Sequence, residues 1–252
     1  MRILRLREPL RQSFSSGGAT LELKMTIYAQ ETIERADALY AARAEEQSVR
    51  LSVEALDAAL AREFDYELAW RLGRALFFLG QEAGDESEAR GFHERAVKIC
   101  ERAARAGPSR VEGHFWLGVN LALLAALEKP LSAFRRARRA RSHLRQAVAL
   151  NPGYHAAGPL RVLARLEARL PTIFGGGHAR ARAYFEKAIA LAPSNTVTRL
   201  YFAQLLLDAG DEQGARQQLR ALLDAPQDSA WNFETARDRR LAQAMTQSMS
   251  KV

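Results

Sequence analysis

The sequence contains little of what builds strands, disulfides or cysteine-based metal sites. Cys100 is the only cysteine among 252 residues, which excludes an internal disulfide and a cysteine-based zinc site. Strand-forming valine, isoleucine, threonine and aromatic residues are sparse, and only 8 prolines interrupt a chain dominated by alanine, leucine, arginine, glutamate and glutamine. Because these residues favour helix, the composition predicts an all-α protein in which Cys100 is a small buried apolar side chain.

Long apolar segments are also missing. No stretch of 18 uncharged apolar residues occurs, and the N-terminus has no apolar run of signal-peptide length. We therefore expect no membrane span and a cytoplasmic location. A periplasmic location would require an export signal that is missing from the sequence as given. Helical patterning begins near Met25, so residues 1–24 are predicted to be a disordered extension and Met25 an alternative start. Residues 25–226 are assigned to one helical domain, and residues 227–252 to a capping helix and tail.

Acidic residues are absent from a long internal stretch. Between Lys129 and Leu166 the chain has eight arginines and one lysine but no aspartate or glutamate, within a protein of net charge +8. This local excess of positive charge is compatible with an anionic partner.

One phrase occurs twice in the chain. LRQAVALNPGY at residues 144–154 returns as FEKAIALAPSN at residues 185–195, with Pro152 and Pro193 in the same place. Each phrase reads as the end of a helix that packs through Ala147 or Ala188 and is terminated by proline. In the last copy, Gly210 is predicted to stop one helix and Asp211 to cap the next.

The pattern extends to about five antiparallel helix pairs. They cover residues 27–64, 66–107, 110–152, 153–193 and 194–226, followed by a capping helix that should place Trp231 and Phe233 on the last pair. Longer connections are expected inside the second, third and fourth pairs, at residues 80–89, 127–134 and 171–179. In the second pair Trp70 and Gly73 compete for consensus positions, which leaves its register open by one residue.

These helix pairs resemble tetratricopeptide repeats, in which small residues let two helices approach closely and a proline ends the unit. The resemblance implies a right-handed α-solenoid that binds partners on a concave face. The second half of the chain, from NPGYHAAGPL to FAQLLL, is also similar to the T component of tripartite ATP-independent periplasmic (TRAP) transporters. That likeness implies a helical accessory protein for organic-acid or lipid-like solutes, and homo-oligomers. WRLGRA and the following helix pair resemble the repeat domain of regulators of microtubule dynamics.

The repeat resemblance implies that first-helix residues line a concave groove. The groove residues predicted in this way are Trp70, Arg74, Phe77, Phe115, Val119, Arg161, Arg165, Leu200 and Gln204. Aromatic residues with a few arginines suit an extended peptide that bears acidic groups, or an amphipathic anion. Ordinary packing between repeats explains the same residues equally well. Arg161 and Arg165, one turn apart, are the predicted polar pair.

The run AFRRARRARSHLRQAV predicts a helix with one apolar stripe and a basic surface. The basic residues are Arg135, Arg136, Arg138, Arg139, Arg141 and Arg145. A solvated face is the default interpretation. Contact with nucleic acid or an anionic surface is an alternative, although the stacking aromatics and motifs typical of nucleic-acid binding are missing.

Signals for catalysis or cofactors are weak. FGGGHARA has three glycines before a helix, but no strand precedes it and no Lys-Ser or Lys-Thr follows, so a flexible loop is favoured over a phosphate site. The five histidines are scattered, and no nucleophile elbow is present. We therefore predict a non-enzymatic scaffold with no cofactor and no metal, which binds a protein or peptide in its groove. The alternatives are handling of a small hydrophobic or anionic solute, and binding of nucleic acid or an anionic surface.

Overall fold

The computed structural model describes residues 16–45 and 47–249 and shows an all-α protein. Eleven α-helices and two short 3₁₀ turns make up the described part of the chain, which contains no strand. The α-helices are α1 (Ser16–Ala41), α2 (Ser48–Leu60), α3 (Tyr66–Glu82), α4 (Glu86–Ala106), α5 (Val111–Ala126), α6 (Pro130–Leu150), α7 (Tyr154–Arg169), α8 (His178–Leu191), α9 (Thr196–Asp208), α10 (Glu212–Leu223) and α11 (Asn232–Met249). The 3₁₀ turns are Thr172–Phe174 and Ser229–Trp231.

The first ten helices form five hairpins that stack in chain order. Each odd-numbered helix packs on the even-numbered helix that follows it, and successive hairpins pack on one another. The helix bounds agree with the five predicted pairs and the final helix. The all-α solenoid expected from the sequence is therefore confirmed.

Polar caps and glycine set several helix ends, as predicted for Gly210 and Asp211. The Asp65 carboxylate accepts a hydrogen bond from the Leu68 N–H at 3.0 Å, and Asp211 accepts one from the Gly214 N–H at 2.8 Å. Gly210 adopts a φ of 77°, the left-handed conformation that ends a helix at little steric cost. The end of α9 and the start of α10 are therefore determined by residues at the junction itself.

Small residues lie where the helices of a hairpin approach most closely. A Cβ atom on Gly73 would lie 2.1 Å from the Cys100 Sγ, and one on Gly118 would lie 2.7 Å from the Leu144 Cγ. Gly73 and Gly118 each lie seven residues after the start of their helix, so they are equivalent. This equivalence fixes the register of the second pair. Cys100 is fully buried, as expected, and burial raises the pKa of its thiol.

Two of the three long connections expected from the sequence are absent from the described residues. Only residues 83–85 separate α3 from α4, and only residues 127–129 separate α5 from α6. The additional residues instead lengthen α4 and α6 to 21 residues each. The prediction was wrong because residues 86–89 and 130–134, which form the first turns of these helices, were assigned to loops. The third connection, residues 170–177, is long as predicted.

The N-terminal boundary also differs from the prediction. Helix α1 begins at Ser16, so residues 16–24 belong to a helix, whereas residues 1–15 of the predicted disordered extension lie outside the described residues. Among the described helices, none is long and apolar enough to cross a bilayer.

Candidate functional site

A cavity of about 150 Å³ lies on the concave side of the solenoid. Its walls come from the first helices of the hairpins, from the 3₁₀ turn before α11 and from the first residues of α11. The lining residues are Tyr40, Phe77, Phe78, Gln81, Glu82, Phe115, Trp116, Val119, Ala122, Leu123, His155, Arg161, Val162, Arg165, Leu166, Arg169, Val197, Tyr201, Trp231, Phe233, Glu234 and Arg237. The space holds several water molecules or part of an organic ligand.

A chain of aromatic rings forms one wall of this cavity. The ring centroids of Phe77 and Trp116 are 5.4 Å apart, those of Trp116 and His155 are 5.1 Å apart, and those of His155 and Trp231 are 4.7 Å apart. Trp116 is almost fully buried, whereas Phe77 is half-buried and faces the cavity. Rings in such tilted and edge-on arrangements present a continuous apolar surface to a ligand.

Arg161 is a buried cation held by neutral acceptors. Its Nη1 donates to the Ala156 carbonyl at 2.9 Å and to the side-chain oxygens of Asn195 and Thr198 at 3.2 Å each. Only 5% of the residue is exposed. Burial lowers the pKa of Arg161 to about 10, because removing the charge from water is incompletely offset by its neighbours. Arg161 thus ties α7 to the start of α9 while contributing positive potential to the cavity.

The backbone in front of Arg161 is strained. His155, Ala156 and Ala157 have φ values of 52°, 52° and 57°, a left-handed conformation that is costly for residues with a Cβ. The hydrogen bond from Arg161 to the Ala156 carbonyl stabilises this turn. The turn directs the His155 ring into the aromatic wall, where burial lowers the pKa of His155 well below its ordinary value.

Arg165 differs from Arg161 in its surroundings. It is half-buried, and its guanidinium lies 3.8 Å from the centroid of the Tyr201 ring. Within residues 16–45 and 47–249, no carboxylate forms an ion pair with it. Arg169, one turn further along α7, is exposed. Positive charge therefore faces this end of the cavity with little compensation from carboxylates.

Residues 226–234, named here the closing segment, cross the concave side and cover the cavity. Arg43, at the end of α1, donates from Nη2 to the Ala230 carbonyl and to the Glu234 carboxylate, both at 2.6 Å. A second hydrogen bond joins Arg43 Nε to Glu234 at 3.0 Å, and both side chains of this ion pair are largely buried. Residues 191 positions apart in the chain are thereby joined, and the concave groove is closed.

The closing segment corrects the predicted position of the cap. Trp231 contacts His155 of α7, and the Phe233 ring lies 5.2 Å from Phe78 of α3, so neither ring has the expected position on the last hairpin. Later residues of α11, including Ala242 and Met245, pack there instead. The prediction was wrong because the curvature of the solenoid brings its two ends within reach of one short segment.

Five of the nine predicted groove residues line the cavity. These are Phe77, Phe115, Val119, Arg161 and Arg165. Trp70 and Leu200 are buried in the core, and Gln204 is exposed away from the cavity. Arg74 is held by Asp37 at 2.5 Å and stacks over the Tyr40 ring at 4.0 Å, so it joins α3 to α1. The consensus positions identified the correct helices, but four of the nine residues selected in this way do not face the cavity.

Sequence reasoning missed several lining residues. They are Tyr40, Trp116, His155, Tyr201, Trp231, Phe233 and Glu234, among others. Trp116 directly follows the predicted groove residue Phe115, and Tyr201 directly follows the predicted residue Leu200. Assigning the groove face one residue further along each helix would have identified both. The mixture of two aromatic residues and an acid in AWNFE was the one local signal for the closing segment.

The basic helix α6 packs as predicted, with Ala137, Ala140, Leu144 and Ala147 buried along one stripe. Several of its arginines bind acidic residues of other helices or of the connection between α5 and α6. These ion pairs are Arg136–Glu128, Arg139–Glu101, Arg141–Glu167 and Arg145–Glu167. Arg135 and Arg138 are exposed. Because acids of other helices neutralise much of this face, its contribution to a phosphate-binding surface is reduced.

The glycine-rich loop after α7 is held to the fold. Gly175 and Gly177 adopt φ values of 74° and 113°, and the Gly177 N–H donates to the Glu167 carbonyl at 2.7 Å. Arg141 donates to the Gly175 carbonyl from the adjacent helix. In the part of the chain that the structure describes, no group of three or more histidine, cysteine, aspartate or glutamate side chains is arranged to hold a metal ion.

Comparison with known protein families shows which family the chain belongs to. The family described as regulator of microtubule dynamics protein 1-3 matches residues 32–158, about half of the chain. The chain belongs to this family. In this member of the regulator of microtubule dynamics family, a tetratricopeptide repeat family matches residues 176–233, which include α8, the last hairpin and all but the final residue of the closing segment. The predicted membership of the tetratricopeptide superfamily is confirmed, while the likeness to the TRAP transporter T component stays a prediction.

Solved structures agree on the fold. A thermophilic TPR protein from Thermus thermophilus has 22% sequence identity and a TM-score of 0.63, over 83% of this chain and 97% of that protein. A MamA RS-1 double mutant has 15% identity and a TM-score of 0.52, over 86% of this chain and 96% of that one. None of the curated proteins matches the sequence. At these identities the solved structures establish a helical-repeat fold for this family member and nothing finer.

Proposed function

We propose that this protein is a non-enzymatic scaffold that binds a segment of a protein partner on its concave side. The observation that carries the proposal is Arg165, a half-buried guanidinium stacked at 3.8 Å over Tyr201, beside an aromatic wall and without a carboxylate in an ion pair among the described residues. An acidic group of a ligand would meet a desolvated cation there, and such charge-assisted hydrogen bonds are stronger than those in water.

The aromatic wall supplies the second part of the recognition. Phe77 is half-buried and lies at the cavity surface, with Trp116 packed behind it. An apolar side chain of the partner inserted against these rings would bury aromatic surface on both sides. A segment that combines an apolar or aromatic side chain with a carboxylate therefore fits both features.

A peptide-display selection on the full chain tests this proposal. We expect enrichment of peptides with aromatic and acidic residues, and at least a tenfold loss of affinity for those peptides in Arg165→Glu. Arg105→Glu is the matched control, since Arg105 is exposed on the last turn of α4, outside the cavity lining. Unchanged affinity in Arg165→Glu, with far-UV circular dichroism showing a folded protein, would overturn the proposal.

The cavity itself favours a second candidate, an amphipathic organic anion, as the resemblance to the solute-handling T component also implies. About 150 Å³ remains beneath the closing segment, between the aromatic wall and the arginines of α7. The anionic probe 1-anilinonaphthalene-8-sulfonate and its neutral analogue N-phenyl-1-naphthylamine distinguish charge recognition from apolar binding. We expect tighter binding of the anion and loss of that preference in Arg165→Glu. Equal affinities for the two probes would contradict this candidate.

A further inference from the structure

The closing segment has the chemistry that the concave site is proposed to bind. In the order Trp231, Asn232, Phe233, Glu234 it presents two rings and a carboxylate to the site. Trp231 lies against the ring of His155 at 4.7 Å and under the guanidinium of Arg161 at 5.6 Å. The segment is therefore already seated on part of the aromatic and cationic surface described above, and its carboxylate binds Arg43 rather than Arg165.

Resting on the proposed function, we propose that the closing segment is an intramolecular competitor and that the partner segment has the same chemistry. The partner carries an aromatic residue, a second aromatic residue two positions later and a carboxylate at the next position. Its carboxylate replaces Glu234 on Arg43, and its second ring replaces Phe233 on Phe78. The interaction surface thus extends from α7 to the ends of α1 and α3.

The fold lets this segment leave without dismantling the solenoid. Ala225 is buried at one end of it, and at the other Asp238 accepts a hydrogen bond from the Thr196 hydroxyl at 2.8 Å. Ala242 packs on the last hairpin. Residues 226–230 between these points are exposed. Opening this segment breaks the Arg43–Glu234 ion pair, the Phe233–Phe78 contact and the first turn of α11, which costs less than unfolding the hairpins.

Tethering explains why such a competitor would regulate binding. A segment held at both ends next to its site has an effective concentration of about millimolar or higher, so a free peptide of equal intrinsic affinity is disfavoured. Loss of the Arg43–Glu234 ion pair removes a largely buried interaction and shifts the segment towards the open state. A chain that lacks this ion pair should consequently bind the free peptide more tightly than the natural chain does.

The test uses the full chain and a fluorescent peptide with the sequence of residues 226–237. By fluorescence anisotropy, Glu234→Arg is expected to bind the peptide at least tenfold more tightly than the natural chain. Phe233→Ser, which removes a ring contact rather than a charge, should have the same direction of effect. Glu54→Arg, the same charge reversal at an exposed position on α2, should bind as the natural chain does.

A second arm examines where the peptide binds. Arg43→Glu combined with Glu234→Arg re-forms the ion pair with reversed polarity, so a 226–237 peptide that carries the same Glu234→Arg exchange should bind this double variant as weakly as the natural peptide binds the natural chain, and should bind Arg43→Glu alone more tightly. Hydrogen exchange of residues 226–234 in the natural chain should rise when excess peptide is added. Equal peptide affinity in the natural chain and in both folded opening variants, Glu234→Arg and Phe233→Ser, would overturn the inference.

Failure of this inference is distinguishable from failure of the proposed function. In one outcome, the display-selected peptides bind the natural chain and Glu234→Arg equally and require Arg165, while the 226–237 peptide binds Glu234→Arg no more tightly than the natural chain. That outcome supports the scaffold function and contradicts the competitor role. If neither class of peptide binds any folded chain, both fall together.

Discussion

Replacing Gly73 tests the helix crossing on which the repeat register depends. Gly73 lies on α3 where it crosses α4, and a Cβ there would lie 2.1 Å from the fully buried Cys100 Sγ. The next nearest atoms, the Cys100 Cβ and the Ile99 Cγ2, are 3.8 and 3.9 Å away, which are ordinary contacts. One sulfur atom therefore accounts for the whole clash.

Two opposing effects determine the magnitude. Alanine in a helix interior is more favourable than glycine by about 1 kcal/mol. Overpacking of a buried contact costs about 1–3 kcal/mol, and a 2.1 Å approach to a side chain with no exposed surface belongs at the upper end. We expect Gly73→Ala to lower the free energy of unfolding by about 2 kcal/mol.

Removal of the sulfur should reverse the effect. Cys100→Ala alone leaves a small void and costs about 1 kcal/mol. In the double variant the new methyl group at position 73 fills that space, so the stability should return close to that of the natural chain. The coupling between the two changes is then about 3 kcal/mol, far above the value for independent sites.

Urea unfolding followed by far-UV circular dichroism measures all four members of this cycle. Gly91→Ala is the matched control, since Gly91 lies exposed on α4 and a methyl group added there would have no atom within 4 Å, so this change should stabilise the protein by about 0.5–1 kcal/mol. If Gly73→Ala stabilises the protein as Gly91→Ala does, the close α3–α4 crossing and the register built on it are refuted.

Three further predictions concern other parts of the fold. Burial lowers the pKa of His155 well below its ordinary value, so below about pH 6.5 the unfolded chain binds more protons than the folded chain, and the free energy of unfolding should fall by up to about 1.4 kcal/mol for each pH unit by which the pH is lowered. Melting curves should show a smaller pH dependence in His155→Phe, and an identical dependence would contradict this reasoning. Ala188→Phe should cost about 1–3 kcal/mol by overpacking a fully buried position, and an unchanged melting temperature would refute the α7–α8 packing. Asn195→Ala removes the α9 cap and an acceptor for Arg161 and should cost about 2 kcal/mol, whereas Asn195→Asp should retain most of the stability; equal melting temperatures for the two variants would contradict that role.

The predictions that succeeded rest on local signals. The Asp211 carboxylate caps α10 by accepting a hydrogen bond from the Gly214 N–H three residues away, and the Gly210 turn depends only on the backbone freedom of that glycine. Ala147 and Ala188 are fully buried. Each occupies the same position in the repeated motif at residues 144–154 and 185–195, on the apolar stripe of a helix that ends shortly before the proline of the motif. Helix pairing and the small residues at crossings follow from spacings of a few residues, which can be read directly from the sequence.

The site was only partly predictable because its two sides are distant in the chain. Phe77, Phe115 and Arg165 share a consensus face, so their common location follows from the repeat period. Arg43 and Glu234 are 191 residues apart in the chain, and only the curvature of the five stacked hairpins brings them into contact. That curvature is the sum of small rotations at each interface between hairpins.

The sequence by itself determined an all-α chain of five hairpins, the packing positions of Ala147 and Ala188, and a concave side with aromatic and arginine residues, because each depends on local propensity and periodicity. The register of the second hairpin, at Gly73, was decided by the structure. The tertiary structure decided that the groove is closed. It also decided that Arg161 serves the fold while Arg165 faces the cavity, since burial and partners differ between residues only one turn apart. Which arginine has its hydrogen bonds satisfied within the protein, and which has no carboxylate in an ion pair among the described residues, is set by neighbours that only the folded chain brings together.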